Sequence, residues 1–463
     1  MKKPLAFLLV LLVFTTTACL GVALPFSATE TPAPQLNSTD IARIVQETLA
    51  ILTPAATAQP AAQTPIPSGE TAAAVTPGEP AATSNPAARP PSLLITYTLD
   101  GDVYLWQPGG EITRLTDHAQ AMDVSISPSG AWIAYTRRVD ERHADIWAVR
   151  ADGAENRQLV SAMDFVSPQP DAVVVPNEMG WQPGTHRLYF NTRLTYTGPG
   201  EPASNDLRFV DADNPLDRGE LLPAGAGGKF LFSPDAQQIL ITQGNRFRVA
   251  NADGSGARDL FTYPEIFTYS EWTYYPDPVW KKDGSAVRVA IPAQDPLTRP
   301  DDPTVVWEIP INGSSARSLL SVNAGPAFMY RPLLSPDAKT ILYQTQRSET
   351  DLISDLHIAN IDLGGDWIIH SGNQRLVNWA PDSLRLSILA GDRNEIQVGT
   401  VQGVFSGWPV GVKPFALEWA DAERVIVLSG SVEAPELYLV ALGSRSLLIA
   451  QSSRPGLEFD YTQ

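Results

Sequence analysis

The sequence predicts an all-β protein, a β-propeller of four-stranded blades, and three observations carry the prediction. From residue 93 onward the chain consists of short β-branched and aromatic runs separated by Gly, Asp, Asn and Pro turns. An apolar residue followed by a turn of Ser, Pro, Asp or Gly character then recurs seven times, at Ile126-Ser127-Pro128, Trp181-Gln182-Pro183, Phe232-Ser233-Pro234, Trp280-Lys281-Lys282, Leu334-Ser335-Pro336, Trp379-Ala380-Pro381 and Trp419-Ala420-Asp421. These pivots lie 55, 51, 48, 54, 45 and 40 residues apart, close to the ~40 to 50 of a four-stranded blade. Finally, eight segments open on an acidic, polar or apolar residue and alternate: those beginning at Asp102, Asp145, Asp206, Arg246, Val306, Asp355, Glu395 and Glu436.

Each pivot ends an inner strand. A second apolar run follows it, as in Trp132-Ile133-Ala134-Tyr135, Ile239-Leu240-Ile241-Thr242 and Val425-Ile426-Val427-Leu428. The eight alternating segments are the third strands. Tight turns such as Ala151-Asp152-Gly153 and Ile311-Asn312-Gly313 lead on to short outer strands, Asp-Gly and Asn-Gly being suited to positive φ. Eight third strands against seven pivots leave the first blade, which starts at residue 93, without an inner strand. Residues 456–462 (GLEFDYT) form a last alternating segment, with Leu457, Phe459 and Tyr461 on one side. Added to the first blade, this C-terminal strand closes the ring and removes exposed edges. Eight blades are expected on that basis; if the tail does not pair, seven is the alternative.

Units reading SPSGAWIAYTRR, DIWAVRADG and NRQLV resemble the TolB-type propeller repeat, and are similar to the propellers of prolyl oligopeptidase family proteins. The resemblance covers residues 93–463. It implies the fold and makes the pivot tryptophans Trp181, Trp280, Trp379 and Trp419 wedges between blades. The hydrolase members of that second group carry Gly-x-Ser-x-Gly, which is absent here.

The N-terminus reads as an export signal. Lys2 and Lys3 precede the apolar run 5–14, small residues follow, and then comes Cys19, the single cysteine. This resembles a lipoprotein processing site, with Cys19 as the acylated residue. An uncleaved signal anchor within residues 1–26 is the alternative. Residues 27–92 are rich in Ala, Pro and Thr and read as a disordered, extended linker. A short helix is predicted near 39–52, where Ile41, Ile44, Val45, Leu49 and Leu52 form one stripe. The organisation is thus 1–26 signal or anchor, 27–92 linker and 93–463 propeller. The expected location is outside the cytoplasm, held at the membrane or cell envelope.

With 51 acidic against 33 basic side chains the net charge is −18, which excludes nucleic acid as a partner. One cysteine excludes an internal disulfide and a Cys-based metal cluster. HExxH, Walker and GxGxxG patterns are absent. The five histidines, His118, His143, His186, His357 and His370, read as surface or packed residues, and Asp211-Ala212-Asp213-Asn214 and Asp301-Asp302 as solvated turns. No catalytic residue, metal or cofactor is assigned.

The best candidate site is the mouth of the central channel, on the connections that lead into the inner strands. The stretch 263–278 (YPEIFTYSEWTYYPDP) is rich in aromatic anchors, among them Tyr269, Trp272, Tyr274 and Tyr275. Near the pivots the inner strands present Asp123, Glu178, Lys229, Asp277 and Arg331, a mixed-charge ring able to orient a ligand. The expected function is a non-catalytic binding or scaffold module for a protein, peptide or glycan. A propeller enzyme, lyase or hydrolase, working in the channel and a structural envelope component are the alternatives.

Overall fold

The computed structural model describes residues 93–462, apart from 118–119, 197–201, 271, 326–330, 348–352, 392–394 and 408–413. The signal, Cys19, the linker, the helix near 39–52 and His118 lie outside the described residues. Those described form eight antiparallel four-stranded sheets arranged as blades.

Blade 2 shows the plan: inner strand Ala121–Ile126, second strand Trp132–Arg138, third strand Ala144–Arg150 and outer strand Asn156–Val160. The inner strands of blades 3 to 8 are Ala172–Trp181, Lys229–Phe232, Val279–Trp280, Leu333–Leu334, Gln374–Trp379 and Ala416–Trp419. All seven end on the pivot residues read from the sequence. Blade 1 contributes Ile95–Leu99, Asp102–Gln107 and Glu111–Arg114, and its innermost strand is Phe459–Tyr461 from the C-terminus. Eight blades, not seven, is the count.

The closing strand pairs Ile95 with Tyr461 and Tyr97 with Phe459. Around it, Leu94 N donates to Thr462 Oγ1 (2.9 Å) and Thr462 N to Leu94 O (3.0 Å). Thr98 Oγ1 donates to Gly456 O (2.9 Å). The Tyr461 hydroxyl reaches blade 8, donating to Trp419 O (2.9 Å).

There is no single core. Eight apolar clusters each join two consecutive blades, the last joining blade 8 (Ile426, Leu437) to blade 1 (Ile95, Tyr97) and to Leu457. A blade's two faces belong to different clusters, so successive residues of a second strand are all buried: Ile426 packs toward blade 1, Val425 and Val427 toward blade 7. This is why second strands read as unbroken apolar runs. The pivot tryptophans stitch each blade to the one before it. Trp181 Nε1 donates to Ser125 O (3.2 Å), Trp379 Nε1 to Leu333 O (3.1 Å) and Trp419 Nε1 to Ser387 Oγ (3.1 Å).

The turns after the pivots of blades 2 to 7 each carry a left-handed residue. Gly130 supplies it in blade 2 (φ 71°) without strain, while Ala236 (57°), Ala338 (59°) and Ser383 (59°) adopt it with a side chain. The serine of the Ser-Pro turns fixes this geometry: Ser127 Oγ accepts from Trp132 N (3.0 Å) and Ser335 Oγ from Thr340 N (3.0 Å).

Candidate binding site at the channel mouth

The aromatic stretch after blade 4 divides into a foundation and a rim. Tyr263 and Tyr274 are buried in the cluster between blades 4 and 5. The Tyr263 hydroxyl donates to Gln243 O (2.6 Å). Burial pushes the Tyr274 phenol up to about 12, the charge of Arg331 opposing the shift and that of Asp277 adding to it. Tyr274 therefore supports the loop rather than offering contact surface. Tyr269 and Trp272 do the opposite, at 59% and 44% exposure, beside exposed Phe267. Tyr269 is held in place by its hydroxyl bond to Asp295 (2.8 Å), and Thr268 Oγ1 ties to Trp272 O (2.7 Å). Tyr275 is half-buried between the two groups.

The charged residues assemble on this foundation. Lys229 pairs with Glu178 (3.1 Å) and lies over the Tyr275 ring (5.1 Å). Arg331 pairs with Asp277 (2.6 Å), lies over the Tyr274 ring (5.4 Å) and donates to Tyr275 O. Six of the nine residues read from the sequence, Glu178, Lys229, Tyr274, Tyr275, Asp277 and Arg331, thus form one network spanning blades 3 to 6. Tyr269 and Trp272 extend it at the rim. Asp123 lies apart from it, accepting from Thr136 Oγ1 (2.6 Å) and donating its own N–H to Glu458 Oε2 (2.5 Å).

Asp123 belongs to a second, acidic arc. Glu418 sits on the blade 8 inner strand, Glu458 and Asp460 on or beside the closing strand, and Ile126 N donates to Asp460 Oδ2 (2.7 Å). None of these four carboxylates pairs with Lys or Arg among the described residues. Burial raises the pKa of Glu418, with the charge of Asp460 adding to it, and burial likewise raises Glu458, with Asp123 adding. Asp460 is raised by burial alone, against its backbone hydrogen bonds. Asp277 is also raised by burial, although Arg331 and Lys229 oppose it. Yet 53% of the Asp277 side-chain surface is reached by solvent. Both facts fit a narrow wet channel, where water touches a group that protein surrounds on most sides.

A carboxyl with a raised folded pKa binds its proton more tightly in the folded chain, so stability falls as pH rises through the window between its unfolded and folded values. Glu418→Gln removes that cost. The variant is expected to be more stable than the parent at pH 7, and the gain should vanish below the ordinary carboxylate range of about 4. Paired denaturant titrations at the two pH values check this; an equal gain at both would assign the effect to packing.

The sequence reading missed Glu418, Glu458 and Asp460. A signal existed: if Leu457, Phe459 and Tyr461 share one side of the closing strand, Glu458 and Asp460 must share the other. The histidines have separate local partners: His143 bonds Asp140 (2.8 Å), His186 bonds Asp213 (2.7 Å) and His370 bonds Gln374 (3.1 Å). Among the described residues no group of three or more His, Cys, Asp or Glu side chains converges as metal ligands would. Asp211 caps its own turn, accepting from Asp213 N (2.8 Å) and Asn214 N (3.2 Å).

The fold and the site together define a closed eight-bladed β-propeller with a charged and aromatic network spanning blades 3 to 6. Among solved structures it is similar to a eukaryotic initiation factor, at 13% identity and a TM-score of 0.50 over 78% of this chain and 85% of that one. It is also similar to TolB from Acinetobacter baumannii (12% identity, TM-score 0.34, 80% of this chain and 66% of that one) and to oligogalacturonate lyase from Vibrio parahaemolyticus (12%, 0.44, 74% and 84%). A prolyl endopeptidase matches over 74% of this chain, which spans 50% of the endopeptidase's own length, at 13% identity and a TM-score of 0.47. No protein-family model matches the chain, and no curated protein matches it in sequence. At these identities the likenesses speak to fold alone.

Proposed function

We propose that the chain is a membrane-tethered, extracytoplasmic β-propeller acting as a non-catalytic binding module. Its partner, a protein segment, peptide or glycan, is held at the channel mouth. The observation that carries this reading is the network of Glu178, Lys229, Tyr275, Asp277 and Arg331 set beside exposed Tyr269 and Trp272. Glu178 and Lys229 stand on inner strands and the loop is pinned by buried Tyr274 and the Tyr269–Asp295 bond, so little entropy is lost when a partner docks. Paired charges beside aromatic rings suit a partner with both polar and ring-stacking groups. The tether rests on the basic start, the apolar run 5–14 and Cys19; lipidation at Cys19 or an uncleaved anchor both hold the chain outside the cytoplasm.

The test is proximity labelling from the full chain in its own envelope, compared with a Trp272→Ala/Tyr275→Ala variant. Loss of most labelled partners, with blade stability unchanged, is the expected result. A partner profile unaltered by the double substitution would favour lateral packing as an envelope component and overturn the channel-mouth reading. Membrane fractionation of the same cells, with and without Cys19→Ala, tests the tether.

A further inference from the structure

Blade 6 departs from the repeat at one position. In six blades a β-bulge between the third and outer strands falls just before the same slot, occupied by Trp147, Arg208, Arg248, Trp307, His357 and Tyr438. Five of these side chains are larger than imidazole. An open cavity of about 400 Å³ lies between blades 5 and 6 where the slot holds His357, larger than the one of about 250 Å³ between blades 2 and 3, where it holds Arg208. Its walls include Leu320, Val322, Asn323, Thr345, His357 and Asp366.

The polar wall is a continuous chain of hydrogen bonds. The Tyr343 hydroxyl donates to Asp366 Oδ2 (2.6 Å), and Asp366 Oδ1 lies 3.2 Å from His357 Nδ1. Thr345 Oγ1 lies 2.9 Å from His357 Nε2. A carboxylate has no proton to give, so Nδ1 donates to it, and the threonine hydroxyl is partner to Nε2. The two rings stack at 4.8 Å and 16°. Every member is oriented, as a recognition surface requires.

Blade 2 shows that the tyrosine needs no charge there. Tyr135, which faces Trp147 as Tyr343 faces His357, donates to Asn156 Oδ1 (2.9 Å), and Asn156 opens its outer strand as Asp366 opens that of blade 6. A neutral amide does that job. Blade 6 has a carboxylate instead, 45% exposed, and the lining residues include no lysine or arginine. Apart from His357, no basic side chain pairs with Asp366 among the described residues.

We propose that this cavity is a second ligand site, for a small molecule carrying an ammonium group on a short alkyl body. Asp366 receives the ammonium. The hydroxyl of Thr345 and the amide of Asn323 supply further polar contacts, and Leu320 and Val322 take the alkyl part. The site lies between blades 5 and 6 and is independent of the channel-mouth reading.

The experiment is calorimetric titration of the full chain with 1,4-diaminobutane and, in parallel, with the uncharged 1,4-butanediol. Saturable binding of the diamine at least tenfold tighter than that of the diol is expected, from the worth of a hydrogen bond to a charged group. Asp366→Asn keeps an acceptor for Tyr343, as Asn156 does for Tyr135, and should weaken the diamine by about tenfold or more. His357→Trp restores the bulk found in blades 2 and 5 and should abolish binding while thermal melting shows a folded ring. Absence of saturable diamine binding, equal binding of the diol, or binding that survives both substitutions in folded protein would each overturn the proposal.

Discussion

A chain ending at Pro455 is expected to lose on the order of 5 kcal/mol of stability, a large share of the roughly 5–15 kcal/mol a domain normally has. Leu457 is buried and Phe459 and Tyr461 are half-buried against the cluster between blades 8 and 1, and removing such side chains costs about 1.5–3 kcal/mol for each one fully buried. The loss of backbone pairing from Ile95 to Tyr97 exposes a strand edge as well. Lower melting temperature together with concentration-dependent aggregation is the readout, by calorimetry and size-exclusion chromatography. Tyr461→Phe serves as the graded control: it deletes only the hydroxyl bond to Trp419 O and should cost about 1 kcal/mol. A truncated chain that stays soluble and melts with the parent would show that closure contributes nothing.

Trp132→Ala is expected to cost about 3–5 kcal/mol. Trp132 is wholly buried, packs with Trp181, Leu188 and Val210 of blade 3, and donates from Nε1 to Asp213 (3.0 Å). Arg157 and Arg150 lie over its ring at 4.9 and 5.5 Å. The substitution therefore opens a void at a joint between blades and strips two guanidinium groups of their aromatic partner. Trp132→Phe keeps most of the volume and should cost clearly less, since Asp213 retains His186. Chemical denaturation of the three proteins decides it; equal losses for Ala and Phe would locate the effect in the hydrogen bond rather than in packing.

The blades were legible in the sequence because they are repeated. A pivot followed by a turn marks the end of an inner strand wherever the turn needs a left-handed residue, and Gly130, Ala236 and Ala338 all stand at that point. The role of the acid that opens a third strand was less visible. Asp102 accepts from Thr116 Oγ1 (3.1 Å), Asp145 from Ala162 N (2.7 Å) and Asp206 from Thr192 N (2.8 Å), bonds whose partners are set by loop geometry rather than by pattern. At the candidate site, charge ordering followed from position three residues before each pivot, and Glu178, Lys229, Asp277 and Arg331 do come together, although Asp277 and Arg331 precede their inner strands rather than stand on them. Which aromatics face outward did not follow: Tyr274 and Trp272 are two residues apart, yet one is buried and the other exposed. Side-chain type cannot make that distinction in a loop with no fixed period. The blade 6 cavity was hidden for another reason, since one His in a slot otherwise filled by Trp, Arg or Tyr reads as ordinary variation until the neighbouring blade is in place.

Because the first blade is finished by residues 459–461, the ring stays incomplete until that distant segment has been made. Strands 95–114 emerge early and must wait unpaired on one side until residues 459–461 arrive. The contact joining Leu94 to Thr462 spans 368 positions, so the slowest event of assembly is the meeting of these two distant segments. A chain cut short before residue 459 would therefore carry an unfinished sheet, which offers quality control a built-in mark of incompleteness.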